Sequence, residues 1–134
     1  MIIKMTHVSR RKLSPKILKQ IINSFLLVLV KTRKKEEMAK FLDALLSKTE
    51  KIMLAKRIAI VYLLSEKVEQ KAIAETLGVT EFTVSRLKLW YETKGEGYKV
   101  AIKELRKQKY LENIKILALK LAANLVKNIR FSFG

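Results

Sequence analysis

The side chains best suited to specific chemistry lie together between residues 80 and 88. Arg86 can donate two parallel hydrogen bonds to the O6 and N7 atoms of a guanine, and Phe82 can contact the methyl group of a thymine. Groups that can bond a base or a phosphate lie in the same stretch: Thr80, Glu81, Thr83 and Ser85. These residue types predict a surface that contacts the edges of bases in a DNA groove.

Basic residues before and after this stretch are candidates for contacts with phosphate groups. Lys71 lies at the start of one predicted helix, and Lys88 lies near the end of the next. A further basic cluster, Arg10–Arg11–Lys12, belongs to the N-terminal segment. Each of these cations can instead be a solvated surface charge, because charge runs alone are weak evidence of a ligand.

Purely structural roles are the alternative for the remaining candidates. Phe82 can be a core side chain, while Glu81 and Arg86 can be surface charges with no ligand. Trp90 and Tyr91 follow in the sequence and can stack on bases, but an aromatic residue here more often packs against the next helix.

A helix–turn–helix over residues 69–91 is predicted to position these side chains. Ala74 is the small residue that the crossing of two helices requires, and Gly78 tolerates the positive φ of a tight turn. Thr80 is suited to cap the second helix. Apolar residues occupy the inward positions: Ile73, Leu77, Val79, Val84 and Leu87. The recognition helix is then 80–91, and its N-terminal residues are expected to enter the major groove.

Helical patterns extend over most of the 134 residues, and only 4 Gly and 1 Pro interrupt them, which favours an all-α fold. Besides the helix–turn–helix, helices are expected over residues 14–30, 36–46, 47–64 and 98–129. Ser14 and Pro15 suit the start of the first of these helices. Between residues 52 and 64, apolar side chains lie on nearly every face of the expected helix, which predicts a central helix or the core of a dimer.

The net charge of +17 is unevenly distributed. It amounts to +10 over residues 1–35, zero over 36–98 and +7 over 99–134. The predicted parts are a flexible basic arm at 1–13, a helical dimerisation and DNA-binding domain at 14–98, and a basic helical extension at 99–134. Basic arms are attracted to a polyanion and release its counterions on binding.

Several classes of function are disfavoured. The chain has no cysteine, which excludes disulfides, Cys-based zinc sites and a cysteine nucleophile. The single histidine, His7, has no partner for catalysis or metal binding, so we expect no catalytic residue, metal ligand or cofactor, and no enzyme. The strongest apolar run, Phe25–Val30, is far short of the roughly 20 residues of a membrane span. With no signal-peptide pattern, a cytoplasmic, nucleoid-associated protein is expected.

Four segments carry a resemblance to a known family: Ala55–Lys56–Arg57–Ile58, Ile73–Ala74–Glu75–Thr76–Leu77–Gly78, Thr83–Val84–Ser85–Arg86 and Gly95–Glu96–Gly97–Tyr98. The block from about Phe41 to Val100 resembles the tryptophan-repressor superfamily, most closely its YerC/YecD-type branch. The resemblance implies an intertwined helical homodimer that binds operator DNA and represses transcription. Residues 1–35 and 105–134 lie outside it.

The resemblance also implies an effector site. In tryptophan-responsive members an arginine on the long helix and another on the recognition helix hold the amino acid, and Arg57 and Arg86 match these positions. Those members have a glycine directly after the second arginine, where this chain has Leu87. A leucine side chain fills the space that the indole needs, so Leu87 argues against tryptophan as co-repressor.

These observations predict a homodimeric regulator of transcription, a repressor, that recognises specific sequences in double-stranded DNA. Its two recognition helices would enter major grooves about 34 Å apart. Three alternatives remain: an architectural, nucleoid-type protein with little sequence preference, the DNA-targeting part of a transposase or recombinase, and an interaction module. In the last, the C-terminal helix would bind a protein or an anionic membrane.

Overall fold

Every element of secondary structure in the described part of the chain is helical. The computed structural model describes residues 12–133, with side chains over 12–127. The elements are α1 (Pro15–Lys31), α2 (Lys35–Leu45), α3 (Lys48–Ser65), α4 (Gln70–Leu77), α5 (Glu81–Lys94), a 3-10 turn (Gly95–Tyr98), α6 (Lys99–Arg106) and α7 (Lys109–Phe133). The predicted all-α class is confirmed.

The first two helices begin where their sequences favour a helix start. Ser14 caps α1, because its Oγ accepts a hydrogen bond from the backbone N–H of Ile17 at 3.3 Å, and Pro15 follows at the first helical position. Glu36 and Glu37 occupy the first turn of α2, where negative charge is favourable next to the unpaired N–H groups.

The chain separates into two compact units, the first ending at Ser47 and the second beginning at Lys48. Neither α1 nor α2, the helices of the first unit, contains a buried residue. The large apolar side chains of α1 are exposed: Ile17, Leu18, Ile21, Ile22, Phe25, Leu26, Leu27, Val28 and Val30. This exposed set is called the α1 apolar surface below.

The second unit is built around the C-terminal half of α3. Five consecutive residues, 60–64, are buried there, whereas four apolar residues earlier in α3 are exposed: Ile52, Met53, Leu54 and Ile58. The core continues into the surrounding helices through Ile73 of α4, Val84 of α5 and Ala118 of α7. The predicted central helix is therefore enclosed over its second half only.

A tight turn joins α4 to α5. Gly78 has φ 64°, in the left-handed region, and its N–H donates to the carbonyl of Ala74, as does that of Val79 at 3.0 Å. Lys56 of α3 donates from Nζ to the carbonyl oxygen of Gly78 at 3.2 Å. Ala74 is buried, so the structure agrees with the roles that the sequence predicted for this residue and for Gly78.

The helix expected over 98–129 is divided into two, which corrects that prediction. At the end of α6 the N–H groups of Lys107 and Gln108 bond the carbonyls of Glu104 and Leu105, three residues earlier, which tightens the last turn. The next helix, α7, then packs against α4, with Leu111 buried in the core. The basic extension is therefore also a structural cover of the helix–turn–helix.

One carboxylate links three helices of the second unit. Glu66, directly after α3, accepts from Nε of Arg106 at 3.1 Å and lies 3.5 Å from Nζ of Lys115 on α7. Burial raises the pKa of the neighbouring Tyr62 phenol, and the negative charge of Glu66 raises it further. The far end of α3 is thus held by ion pairs as well as by apolar packing.

Replacement of Ala118 by Glu tests whether α7 is an integral part of this core. Ala118 is completely buried, so a charge there lacks solvation, and we expect the free energy of unfolding to fall by about 3 kcal/mol or more. Urea denaturation measures the change. Ala123→Glu, at an exposed position of the same helix, is the matched control and should change stability by less than about 0.5 kcal/mol. Equal stability of the two variants would contradict the packing of α7.

Replacement of Gly78 by Ala tests the turn. A Cβ at this position would lie 3.7 Å from Nζ of Lys56, an ordinary contact, so the cost comes from the positive φ. We expect a loss of about 1–2 kcal/mol in the same denaturation measurement. Gly97→Ala is the control, because a Cβ there meets nothing within 4 Å. A Gly78→Ala variant as stable as the control would show that the turn does not require this conformation.

Candidate nucleic-acid interface

The recognition helix α5 has one face in the core and one toward solvent. Val84 and Leu87 are 0% and 6% exposed, and they fix the orientation of the helix on the second unit. Phe82 is 70% exposed, which rules out the alternative that it is a core side chain. An aromatic side chain that stays this exposed on a fixed helix is available for contact with a partner.

The start of α5 engages two hydroxyl groups in capping. Thr80 is the N-cap, and its Oγ1 accepts from the backbone N–H of Thr83 at 3.1 Å. The two threonine hydroxyls lie 2.9 Å apart and share a hydrogen bond. Glu81 is exposed in the first turn, where a negative charge stabilises the helix end. All three residues thus have a structural role in addition to any contact with DNA.

A hydrogen bond joins the two helices of the motif on their outer side. Ser85 of α5 donates from Oγ to Oε1 of Gln70, the first residue of α4, at 2.8 Å. The amide NH₂ of Gln70 keeps both of its donors for another acceptor. Gln70 was not among the predicted site residues, although a polar residue at the first position of the motif's first helix could have drawn attention to it.

Two aromatic rings lie near the Arg86 guanidinium. Its Cζ is 5.8 Å from the ring centroid of Phe82 and 5.7 Å from that of Trp90, within the range of cation–π attraction. The Cζ of Arg57, on α3, is also 5.7 Å from the Trp90 ring. The Arg57–Trp90 contact was not predicted from the sequence, because α3 and α5 are distant in the chain. Tyr91, in contrast, makes an edge contact with Tyr98 of the next element, as such a residue was expected to.

The two arginines that the resemblance assigned to an effector site are indeed brought together. Arg57, Arg86 and Trp90 line a cavity of about 230 Å³, with Leu87 in its apolar wall. Lys56, which also lines this cavity, donates to the Gly78 carbonyl.

The basic residues proposed for phosphate contacts lie at the surface wherever they are described. Lys71 is exposed at the start of α4, and Lys88 is exposed on α5. Lys12 is exposed ahead of α1, while Arg10 and Arg11 lie outside the described residues. Cations on a helix–turn–helix surface attract a phosphate backbone irrespective of base sequence.

Within residues 12–133, no group of three or more His, Cys, Asp and Glu residues is placed to hold a metal ion. Nor does any helix within the same residues combine the length and the apolar character needed to cross a membrane.

Comparison with known proteins gives one match. The sequence model of the family described as Trp repressor protein matches residues 20–106, which is well over half of the chain. Comparisons with curated proteins and with solved structures gave no match. The match extends beyond the helix–turn–helix on both sides and includes α3, which contributes Arg57. The chain therefore belongs to the Trp repressor family, a family of helix–turn–helix DNA-binding regulators.

Proposed function

We propose that this protein is a homodimeric repressor of transcription that recognises a specific double-stranded DNA sequence through α5. The observation that carries the proposal is the outer face of α5, where Phe82 and Arg86 are exposed opposite the buried Val84 and Leu87. A helix so oriented can enter a major groove without unfolding any part of the core.

Each side chain on this face has a chemical role in the proposal. Arg86 donates two hydrogen bonds to a guanine, and Phe82 contacts a thymine methyl. Glu81 accepts from the amino group of a cytosine, while the hydroxyls of Thr83 and Ser85 bond a base or a phosphate. Thr80 reaches the phosphate backbone at the helix start, where the unpaired N–H groups favour an anion.

Phosphate contacts supply the remaining affinity. Lys71 and Lys88 flank the recognition surface, and Gln70 has amide donors free for a phosphate oxygen. The arm residues Arg10, Arg11 and Lys12 add attraction that does not depend on sequence. This term weakens as salt rises, whereas contacts to base edges determine which sequence is preferred.

Dimerisation is proposed because apolar surface is left exposed in the single chain. The α1 apolar surface is one such region, and Met53 and Ile58 of α3 belong to another. The family match covers α3 and begins at residue 20, within α1. Each square ångström of apolar surface removed from water contributes about 25 cal/mol, so a second copy that covers these helices stabilises both. A dimer would place two α5 helices about 34 Å apart on a two-fold-symmetric operator.

Repression of transcription follows from the proposed binding of a dimer to its operator. A dimer bound to an operator would block transcription by occupying the DNA, and such a role requires no catalytic residue and no cofactor.

Leu87 is buried in the wall of the Arg57–Arg86 cavity, which supports the view that tryptophan is not the co-repressor. The family match spans both compact units, which supports a single functional domain over 14–98. A cytoplasmic protein associated with the nucleoid is the location that this function implies.

Selection of bound sequences from a random duplex pool, at about 150 mM salt, tests sequence recognition. We expect the wild type to enrich a two-fold-symmetric site. Arg86→Ala should lose the preference at one base pair in each half-site, with a cost of about 1–3 kcal/mol per lost contact. Lys88→Ala is the control, and should weaken all sequences alike while it reduces the dependence of log K on log salt by about 1.

Two results would contradict this assignment. An unchanged preference in Arg86→Ala would show that Arg86 does not contact a base. Binding by the wild type without enrichment of any site would favour the architectural alternative, to which the net charge of +17 is equally suited.

Sedimentation equilibrium tests the dimer. We expect the wild type to have the mass of two chains, and Phe25→Glu to sediment as a single chain, because a charge on the α1 apolar surface would be buried unpaired at the interface. Lys19→Glu places the same charge elsewhere on α1, at a position that is already charged, and should leave the dimer intact. A monomeric wild type at micromolar concentration would contradict the proposal.

A further inference from the structure

Four side chains of alternating type, aromatic and cationic, follow one another from the outer face of α5 to α3. In order they are Phe82, Arg86, Trp90 and Arg57, and each neighbouring pair lies 5.7–5.8 Å apart from guanidinium carbon to ring centroid. The first three are spaced by four residues and therefore share one face of α5. We call this set the cation–π ladder.

Stacking of this kind restricts Arg86 without using its donors. A guanidinium contacts aromatic rings through its two faces, whereas its N–H groups point outward in the plane of the group. Attraction to the rings of Phe82 and Trp90, at 5.8 and 5.7 Å, favours the rotamer of Arg86 that keeps both contacts in the free protein. An arginine ordered in advance loses less entropy when it bonds a base.

The ladder also connects the recognition helix to the core. Trp90 is 44% exposed and lies on α5, while Arg57 is half-buried on α3, the helix around which the second unit is built. Lys56, next to Arg57, bonds the turn at Gly78. Two neighbouring cations of α3 thus contact the turn before α5, at Gly78, and the C-terminal part of α5, at Trp90.

We propose that Trp90 and Arg57 are positioning residues for DNA recognition, and that they hold α5 and Arg86 in place without a small-molecule effector. The indole of Trp90 lies within cation–π distance of the guanidinium groups of Arg57 and Arg86, so an aromatic ring of the chain itself contacts both arginines. The DNA part of this inference rests on the proposed function of α5.

The cavity beside the ladder is consistent with independence from an effector. Its volume is about 230 Å³, and Arg57, Arg86 and Trp90 themselves form part of its lining. Leu87 forms part of the wall, and the Lys56 ammonium already donates to a carbonyl. A ligand ring that contacted Arg57 and Arg86 at the positions of the Trp90 indole would have to displace Trp90.

The first experiment tests the ladder without DNA. Trp90 is the single tryptophan of the chain, so intrinsic fluorescence reports on it alone. We expect Arg57→Gln to increase the acrylamide quenching constant about twofold, because the ring loses one of its two covering groups. Lys48→Gln, at an exposed cation of the same helix, is the control and should leave quenching unchanged. Identical quenching in wild type and Arg57→Gln would overturn the contact and the proposal with it.

The second experiment measures binding to the selected site and to unrelated duplex DNA. Trp90→Ala and Arg57→Gln should each weaken the selected site about tenfold and unrelated DNA less than twofold, while Trp90→Phe should retain most of the affinity. The double variant should bind no more weakly than either single variant, because both remove the same link. Leu89→Ala, at the exposed position next to Trp90, is the control and should bind like the wild type.

The outcomes separate this inference from the proposed function. Equal loss for both kinds of DNA, or fully additive losses in the double variant, would indicate a general structural effect and overturn the positioning role. Selective binding by the wild type that neither variant alters would overturn it as well, while the proposed function stands. If the wild type shows no selective binding, the proposed function fails and the DNA part of the inference fails with it.

Independence from an effector is tested by titration of free tryptophan, and separately of indole-3-acetate, up to millimolar concentration. We expect the affinity of the wild type for its selected site to change less than twofold. A tenfold or larger increase with either compound would show that the cavity accepts a ligand in place of Trp90, and would overturn this part of the proposal.

Discussion

Burial of the C-terminal half of α3 is the packing interaction on which the rest of the second unit depends. Residues 60–64 are buried consecutively, so helices must lie on every side of this segment. The inner face of α5 reaches the same core through Val84 and Leu87. Because the inner face is fixed in this way, the opposite face of α5, with Phe82 and Arg86, is fixed as well. The packing of the core therefore determines which side chains the candidate interface presents.

Both parts of α3 carry large apolar side chains, but only those toward its C-terminus are buried. The second half finds its partners within the chain, whereas the first half exposes Ile52, Met53 and Leu54. A helix whose apolar side chains are covered over only part of its length supports the proposal that the complete core requires more than one chain. The α1 apolar surface has the same character, and the family match begins within α1.

The sequence alone predicted the parts of this structure that local constraints determine. Gly78 and Thr80 could be assigned because a left-handed turn and a helix cap each favour few residue types. The contacts that were missed depend on residues distant in sequence. Neither the Ser85–Gln70 bond nor the approach of Trp90 to Arg57 leaves a periodic pattern. The break between α6 and α7 was missed because helical periodicity continues across it and no Gly or Pro marks it.

The packing of α7 on α4 has a thermodynamic consequence for its positive charge. A basic tail that is disordered in the free state must lose chain entropy when it contacts a polyanion. Here the backbone of α7 is already ordered, since Leu111 and Ala118 are buried in the core. Contacts between its lysines and phosphate would therefore carry no folding cost, and would add little to the heat-capacity change that accompanies coupled folding and binding.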